Sequence, residues 1–263
     1  MSSTELTDIT TVRFGEVTFD LHHDESYIPD CIIRQLPVSD LEPELVAFLI
    51  RAVRPGDIVV DAGANVGLFT MLMSRLVGPR GMVHAFEPHP DTAGRLDRNV
   101  ALNRATNVLV HEIALWDACR DLTLYTCFEP GLASLRPYDG WTGSRTVRTE
   151  RLDRILPDPP RLIKLDVEGS ELNALKGCEK WLRDVTYVCC ELSRQNLGHH
   201  GLTQADVIDY MKGFGKDLWT LDADENVMRA TAAEIADQPI NRMYLFVAED
   251  DLIALCEQSN AET

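Results

Sequence analysis

The chain has 263 residues, 45% apolar and 25% charged, the balance of a globular protein built on one large domain. Its formal net charge of −17 offers no basic field for nucleic acid or an anionic membrane, so neither is expected as a partner. No apolar run reaches the roughly 18 residues of a membrane span, and the start, MSSTELTDITTVRFGE, lacks the basic-then-apolar order of a secretory signal, which points to a cytoplasmic protein.

In residues 1–40, Val12–Phe14 and Val17–Phe19 flank Gly15, which predicts a hairpin in an N-terminal extension. Residues 41–53 place Leu45, Phe48, Leu49 and Ala52 on one helical face, and Pro55-Gly56 ends that helix. Ile58–Val60 reads as a buried parallel strand. A helix follows with Leu68, Met71, Leu72 and Leu76 in register. Met82–Phe86 is a second strand, residues 90–103 a helix, and Val108–Ala114 a third strand. This alternation predicts a parallel sheet with right-handed crossovers. Residues 119–160 break the rhythm: Leu122–Tyr125 alternates like an antiparallel strand, and Arg145–Glu150 looks like another. Between them, residues 129–143 are rich in Gly and Pro and carry Tyr138 and Trp141, the composition of a lid loop. The core pattern resumes with a strand at Leu162–Leu165, a helix over 170–182 and a strand at Val185–Cys190. A helix over 203–214 and strands at Leu218–Leu221 and Met243–Val247 complete a domain spanning 41–256. Residues 257–263 read as a flexible tail.

The seven cysteines include no C-x-x-C pair, which argues against a zinc ribbon or a disulfide framework and for buried reduced thiols.

The string Asp61-x-Gly63-x-Asn65-x-Gly67 lies between a strand and a helix. Glycines there let the backbone turn tightly and approach a ligand, and asparagine tolerates a left-handed conformation. A P-loop would need Lys followed by Ser or Thr. The dinucleotide pattern G-x-G-x-x-G, started at Gly63, meets Asn65 and Leu68 instead of glycines. S-adenosylmethionine (SAM) has no pyrophosphate, and an acid at each of two strand ends suits it. Asp61 can serve its ammonium directly or through water, and Glu87 can accept from both ribose hydroxyls.

The runs VRPGDIVVDAGANVGLFT, AFEP, IALWD and LIKLDVEGSELNALKG, with LEPE upstream, resemble the FkbM-type SAM-dependent methyltransferases over residues 42–248. The resemblance implies an α/β Rossmann-like fold: a mostly parallel seven-stranded sheet, helices on both faces and an antiparallel last strand. It implies methyl transfer to a hydroxyl of a sugar, polyketide or other secondary metabolite, free or carrier-bound. It also implies donor contacts at Asp61, Gly63, Asn65, Gly67, Glu87 and Pro88, with Ala114, Leu115 and Trp116 bordering the adenine.

Methyl transfer to an alcohol needs an in-line acceptor and a group that takes its proton. Asp166, Glu168 and Glu191 lie at adjacent strand ends. Asp166 or Glu191 is the candidate base or acceptor-orienting group; equally, Asp166 binds the donor's amino group. His199 is a further candidate, because adjacent histidines in extended chain cannot both face one site. Glu171, at a helix start, has a structural role. Lys164, inside an apolar strand, either pairs with a carboxylate or points into the cleft. The three acids could instead hold Mg2+ with an acceptor diol, but the Asp-Asn continuation of such sites is absent, so a metal is not favoured. The rival readings are N- or C-methylation, an NAD(P)-dependent oxidoreductase, and a SAM-binding protein without catalysis.

Overall fold

The computed structural model describes residues 8–23, 42–127, 133–137, 139–221, 227–236 and 242–261. Tyr138, Cys31 and residues 128–132 of the expected lid lie outside them. Strands β1 (Asp8–Phe14) and β2 (Val17–His23) form the expected antiparallel hairpin. It is less an extension than part of the core: Val12, Phe14, Phe19 and Leu21 are buried in the main apolar cluster.

Helix α1 (Pro43–Ala52) leads into β3 (Ile58–Ala62), α2 (Leu68–Val77), β4 (Met82–Phe86), α3 (Pro90–Leu102) and β5 (Val108–His111). The third strand is shorter than expected. Chain leaves it at His111, and Ala114–Leu115 forms β6 in a different sheet. That second sheet, ordered β6-β8-β7, contains β7 (Arg120–Thr126) and β8 (Gly143–Glu150) from the inserted segment. Then come α4 (Leu152–Ile155), β9 (Leu162–Leu165), α5 (Glu171–Lys176), β10 (Tyr187–Glu191), α6 (Arg194–His199) and α7 (Gln204–Lys212). The helix expected over 170–182 stops at Lys176 and resumes as a 3-10 turn at Glu179–Trp181. Gly177 lies at this break, packed so closely on the Trp116 carbonyl that a Cβ would overlap it. Strands β11 (Asp217–Leu221) and β12 (Val227–Arg229), helix α8 (Ala232–Ala236), β13 (Met243–Val247) and α9 (Glu249–Ala261) follow. Helix α9 therefore continues to Ala261 through residues expected to form a flexible tail.

The central sheet has the order β12-β11-β13-β10-β9-β3-β4-β5. The five strands from β10 to β5 are parallel, and β13 pairs antiparallel with both β10 and β11. This is the Rossmann-like methyltransferase arrangement with the antiparallel last strand expected. The sheet has eight strands rather than seven, because the three-residue β12 adds an edge. Side chains alternate between two cores. Val59, Tyr187, Cys189, Leu245 and Val247 face α1, α2 and the hairpin. Val60, Val188, Cys190, Tyr244 and Phe246 face α5 and α7. Each such buried apolar side chain stabilises by about 1.5–3 kcal/mol, and burial on both faces is why these strands read as continuous apolar runs.

Cys178, Cys189 and Cys190 are buried free thiols as expected, whereas Cys119 and Cys256 are exposed. Among the described residues, no helix is long and apolar enough to cross a membrane.

Candidate active site

Strand order reverses at β3: the chain moves through β4 to β5 on one side, and through β9 to β10 on the other. A crevice opens at the carboxyl ends of strands at such a switch point. Here it is a cleft whose lining includes Gly63, Asn65, Glu87, Asp166, Glu168 and Ser170.

The loop after β3 is built by backbone strain and backbone bonds. Gly63, Asn65 and Gly67 have φ of 74°, 53° and 100°. The amides of Gly63 and Ala64 both donate to the Phe86 carbonyl, each at 3.0 Å. Gly63 packs so tightly on the end of β9 that a Cβ would overlap the Asp166 carbonyl oxygen. Asn99 of α3 ties the loop to the hairpin: its Nδ2 donates to the Val66 carbonyl at 2.8 Å, and its Oδ1 accepts from the His22 amide at 2.8 Å.

Glu87 stands at the end of β4. Its Oε2 accepts from the Asn65 amide at 3.0 Å and its Oε1 from the His89 amide at 2.9 Å. Each oxygen keeps lone-pair capacity for a further donor. Burial pushes this carboxyl up to about 7, against the pull of the two amides. Beside it, Phe86, Pro88, Ile113, Ala114 and Leu115 make an apolar slot.

Asp61 is fully buried beneath the loop and is not on the cleft wall. Its Oδ2 accepts from the Thr70 hydroxyl at 2.6 Å, and its Oδ1 lies 3.3 Å from Lys164 Nζ. Lys164, itself 1% exposed, reaches Asp166 Oδ2 at 3.4 Å and lies over the Phe69 ring. Burial opposes its charge, but Asp61 and Asp166 outweigh that and hold the ammonium well above the usual lysine range. Lys164 thus pairs with two carboxylates rather than reaching into the cleft.

After β9 the chain turns through Glu168, whose φ is 52°. The Ser134 hydroxyl donates to the Glu168 carbonyl at 2.9 Å, and Asn196 Nδ2 donates to Glu168 Oε2. Burial, then the charges of Asp166 and Glu171, push the Glu168 carboxyl up to about 8. Glu171 lies off the wall; its Oε1 accepts from the amides of Val167 and Gly169, a structural role that shapes this turn.

Of the expected site residues, Gly63, Asn65, Glu87, Pro88, Ala114, Leu115 and Asp166 line the cleft. Gly67 instead caps α2 and faces Leu96, and Trp116 is buried behind the wall. Glu191 is also off the wall; burial and then Asp166 and Glu168 push its carboxyl up to about 9. His199 is not on the wall either, and of the two histidines it is His200 that approaches the turn, its Nε2 3.4 Å from Ser134 Oγ. Burial, with Arg136 and His199 adding to it, lowers His200 to about 4 and keeps it neutral. Trp141 packs edge-on against Tyr125 at 5.3 Å, anchoring the inserted segment. Among the described residues, no group of three or more His, Cys, Asp or Glu is arranged to hold a metal ion. No sequence signal pointed to Ser170 or to the apolar wall of Leu124, Ala133 and Leu135, nor to Ser134, which bonds the Glu168 carbonyl. The left-handed turn that exposes Glu168 had one signal, the glycine after it.

Residues 61–218 match the profile of the Methyltransferase FkbM domain. The hexuronic acid methyltransferase AglP of Haloferax volcanii is 30% identical over 173 residues, covering 63% of this chain and 66% of that one. The 31-O-demethyl-FK506 methyltransferase FkbM of Streptomyces tacrolimicus is 32% identical over 163 residues, covering 48% of this chain and 61% of that one. The chain thus spans about three fifths to two thirds of the length of these curated relatives. A solved structure of methyltransferase FkbM from Methylobacillus flagellatus is 17% identical with a TM-score of 0.48, covering 76% of this chain and 50% of that one.

Proposed function

The chain belongs to the FkbM methyltransferase family, and on that premise we propose that it transfers a methyl group from SAM to a hydroxyl of a small or carrier-bound acceptor. The observation that carries this reading is the pairing of Glu87 with the apolar slot. A carboxylate with spare capacity on both oxygens suits the two ribose hydroxyls, and Phe86, Ile113, Ala114 and Leu115 suit a purine. The described wall offers Glu87, Asp166 and Glu168 and no lysine or arginine. That composition favours a cationic donor and disfavours the pyrophosphate of a dinucleotide, the oxidoreductase reading.

SAM, when bound, supplies a methyl carbon activated by a cationic sulfur. This chain's residues bind and orient. Glu87 holds the ribose, and Asp166, steadied by Lys164, takes the donor's amino group. Among the described residues the wall carries no cation for an acidic acceptor to pair with. This supports a neutral hydroxyl on a sugar, polyketide or other secondary metabolite as the acceptor.

The test is incubation with methyl-labelled SAM and a panel of neutral polyols, macrolide alcohols and uronic acids, read by mass spectrometry. Label on a neutral alcohol is expected. Label only on uronic acids, only on nitrogen, or on nothing in the panel overturns the acceptor assignment.

A further inference from the structure

We propose that Glu168, rather than Asp166 or Glu191, is the residue that takes the proton from the acceptor hydroxyl. This rests on the methyl-transfer reading and names a catalytic group within it.

Three carboxylates compete for the role, and their surroundings separate them. Asp166 is on the wall but spends its charge on Lys164, 3.4 Å away. A carboxylate neutralised by an ammonium is a weak base and a good anchor. Glu191 is off the wall. Glu168 is on the wall, and among the described residues no cation contacts its carboxylate.

Glu168 is also held in place more firmly than a surface glutamate. Its backbone is left-handed, a conformation that costs a non-glycine residue about 1–2 kcal/mol and gathers at functional sites. The Ser134 hydroxyl fixes its carbonyl, Glu171 binds the amide of the next residue, and Asn196 fixes one carboxylate oxygen. Oε2 is thereby oriented and Oε1 is left for the acceptor. The charged groups around it are Asp166, Glu171 and Glu191, which disfavour its ionised form, and Lys164, which favours it. His200, on the neighbouring α6 side, is neutral. The balance raises the proton affinity of Glu168 well above the ordinary carboxylate range, so that it serves as a base with a rate that rises through mildly alkaline pH.

The step balances. The acceptor O–H proton passes to Glu168 Oε1, and the freed oxygen pair forms the C–O bond. The S–C pair stays on sulfur as the neutral thioether, and Glu168 later releases the proton to water.

Two measurements test this. The first uses donor-free protein: the glutamate carboxyl carbons are 13C-labelled and titrated by NMR, with Glu168→Gln identifying the resonance. A midpoint near 8 is expected; a midpoint in the ordinary glutamate range overturns the proposal, whether or not an acceptor has been found. The second compares variants at saturating SAM. Glu168→Gln should lower kcat at least a hundredfold, leave SAM affinity within threefold by calorimetry, and abolish the rise of kcat/KM with pH. Asp166→Asn should lose SAM affinity. Asn196→Ala, which removes a donor to the carboxylate, should move the pH limb upward and serves if Glu168→Gln fails to fold. An active wild type with an unaltered pH profile in Glu168→Gln overturns the base assignment alone. A wild type that methylates nothing counts against the methyl-transfer reading instead.

Discussion

Replacing Lys164 with methionine removes a buried cation that touches two acids. Nζ lies 3.3 Å from Asp61 Oδ1 and 3.4 Å from Asp166 Oδ2. Asp166 is partly open to solvent, but Asp61 is 0% exposed and among the described residues would keep only the Thr70 hydroxyl. An uncompensated buried charge of this kind costs about 3–5 kcal/mol. Protonation offers an escape: an ordinary aspartate titrates near about 3.9, so holding one protonated costs about 4 kcal/mol at pH 7 and about 1.5 kcal/mol at pH 5. The variant should therefore lose about 4 kcal/mol at pH 7, roughly 10 °C in Tm for a chain of this size. Its deficit should shrink on acidification, because its folded state binds a proton that its unfolded state does not. Urea unfolding at both pH values measures this. The double variant Asp61→Asn/Lys164→Met removes both charges and should recover to within about 1–2 kcal/mol of wild type. A deficit below about 1 kcal/mol that ignores pH, or no recovery in the double variant, would refute the reasoning.

Gly63→Ala places a Cβ on the Asp166 carbonyl at a φ of 74°. The loop and the end of β9 must part, and SAM affinity should fall about a hundredfold, roughly 3 kcal/mol; a change under threefold by calorimetry contradicts the packing. Asn99→Ala removes bonds to Val66 and His22. It should cost about 2–3 kcal/mol and speed amide exchange in both the hairpin and the 63–67 loop, whereas an effect confined to one segment denies the link. The buried acids set the pH dependence of the donor-free protein. Glu87 and Glu171 are raised to about 7, Glu168 to about 8 and Glu191 to about 9. Groups that bind protons more tightly when folded stabilise below the ordinary glutamate range, and that stability is lost as pH rises toward 9. The lowered histidines His84, His89, His111 and His200 oppose this below about pH 7, so Tm should fall from pH 7.5 to 8.5, and a rise across that window would contradict these shifts.

The sheet was legible because its strands are buried on both faces and so appear as short apolar runs separated by helical periodicity. The loop after β3 was legible because left-handed turns demand glycine or asparagine, and Gly63, Asn65 and Gly67 supply them. What escaped depends on contacts between distant segments. Asp61 and Glu87 both sit at strand ends, yet the side chain of Asp61 turns under the loop toward Lys164 and Thr70. Glu168 reaches the wall through a backbone turn, and Glu191 does not, although both are acids after parallel strands. His199 and His200 are distinguished only by how α6 ends against Ser134, a residue 66 positions from His200. Helix α9 was invisible as a helix near its end because residues 257–261 carry no apolar stripe.

The proposed methyl transfer requires that SAM bind in this cleft, held by Glu87 and the glycine loop. Isothermal titration of the folded protein with SAM and with S-adenosylhomocysteine tests it most directly, with Glu87→Ala as the comparison. Saturable binding of both ligands is expected, weakened at least tenfold in the variant. Well-folded protein that takes up neither ligand, or a variant that binds as tightly as wild type, would contradict it.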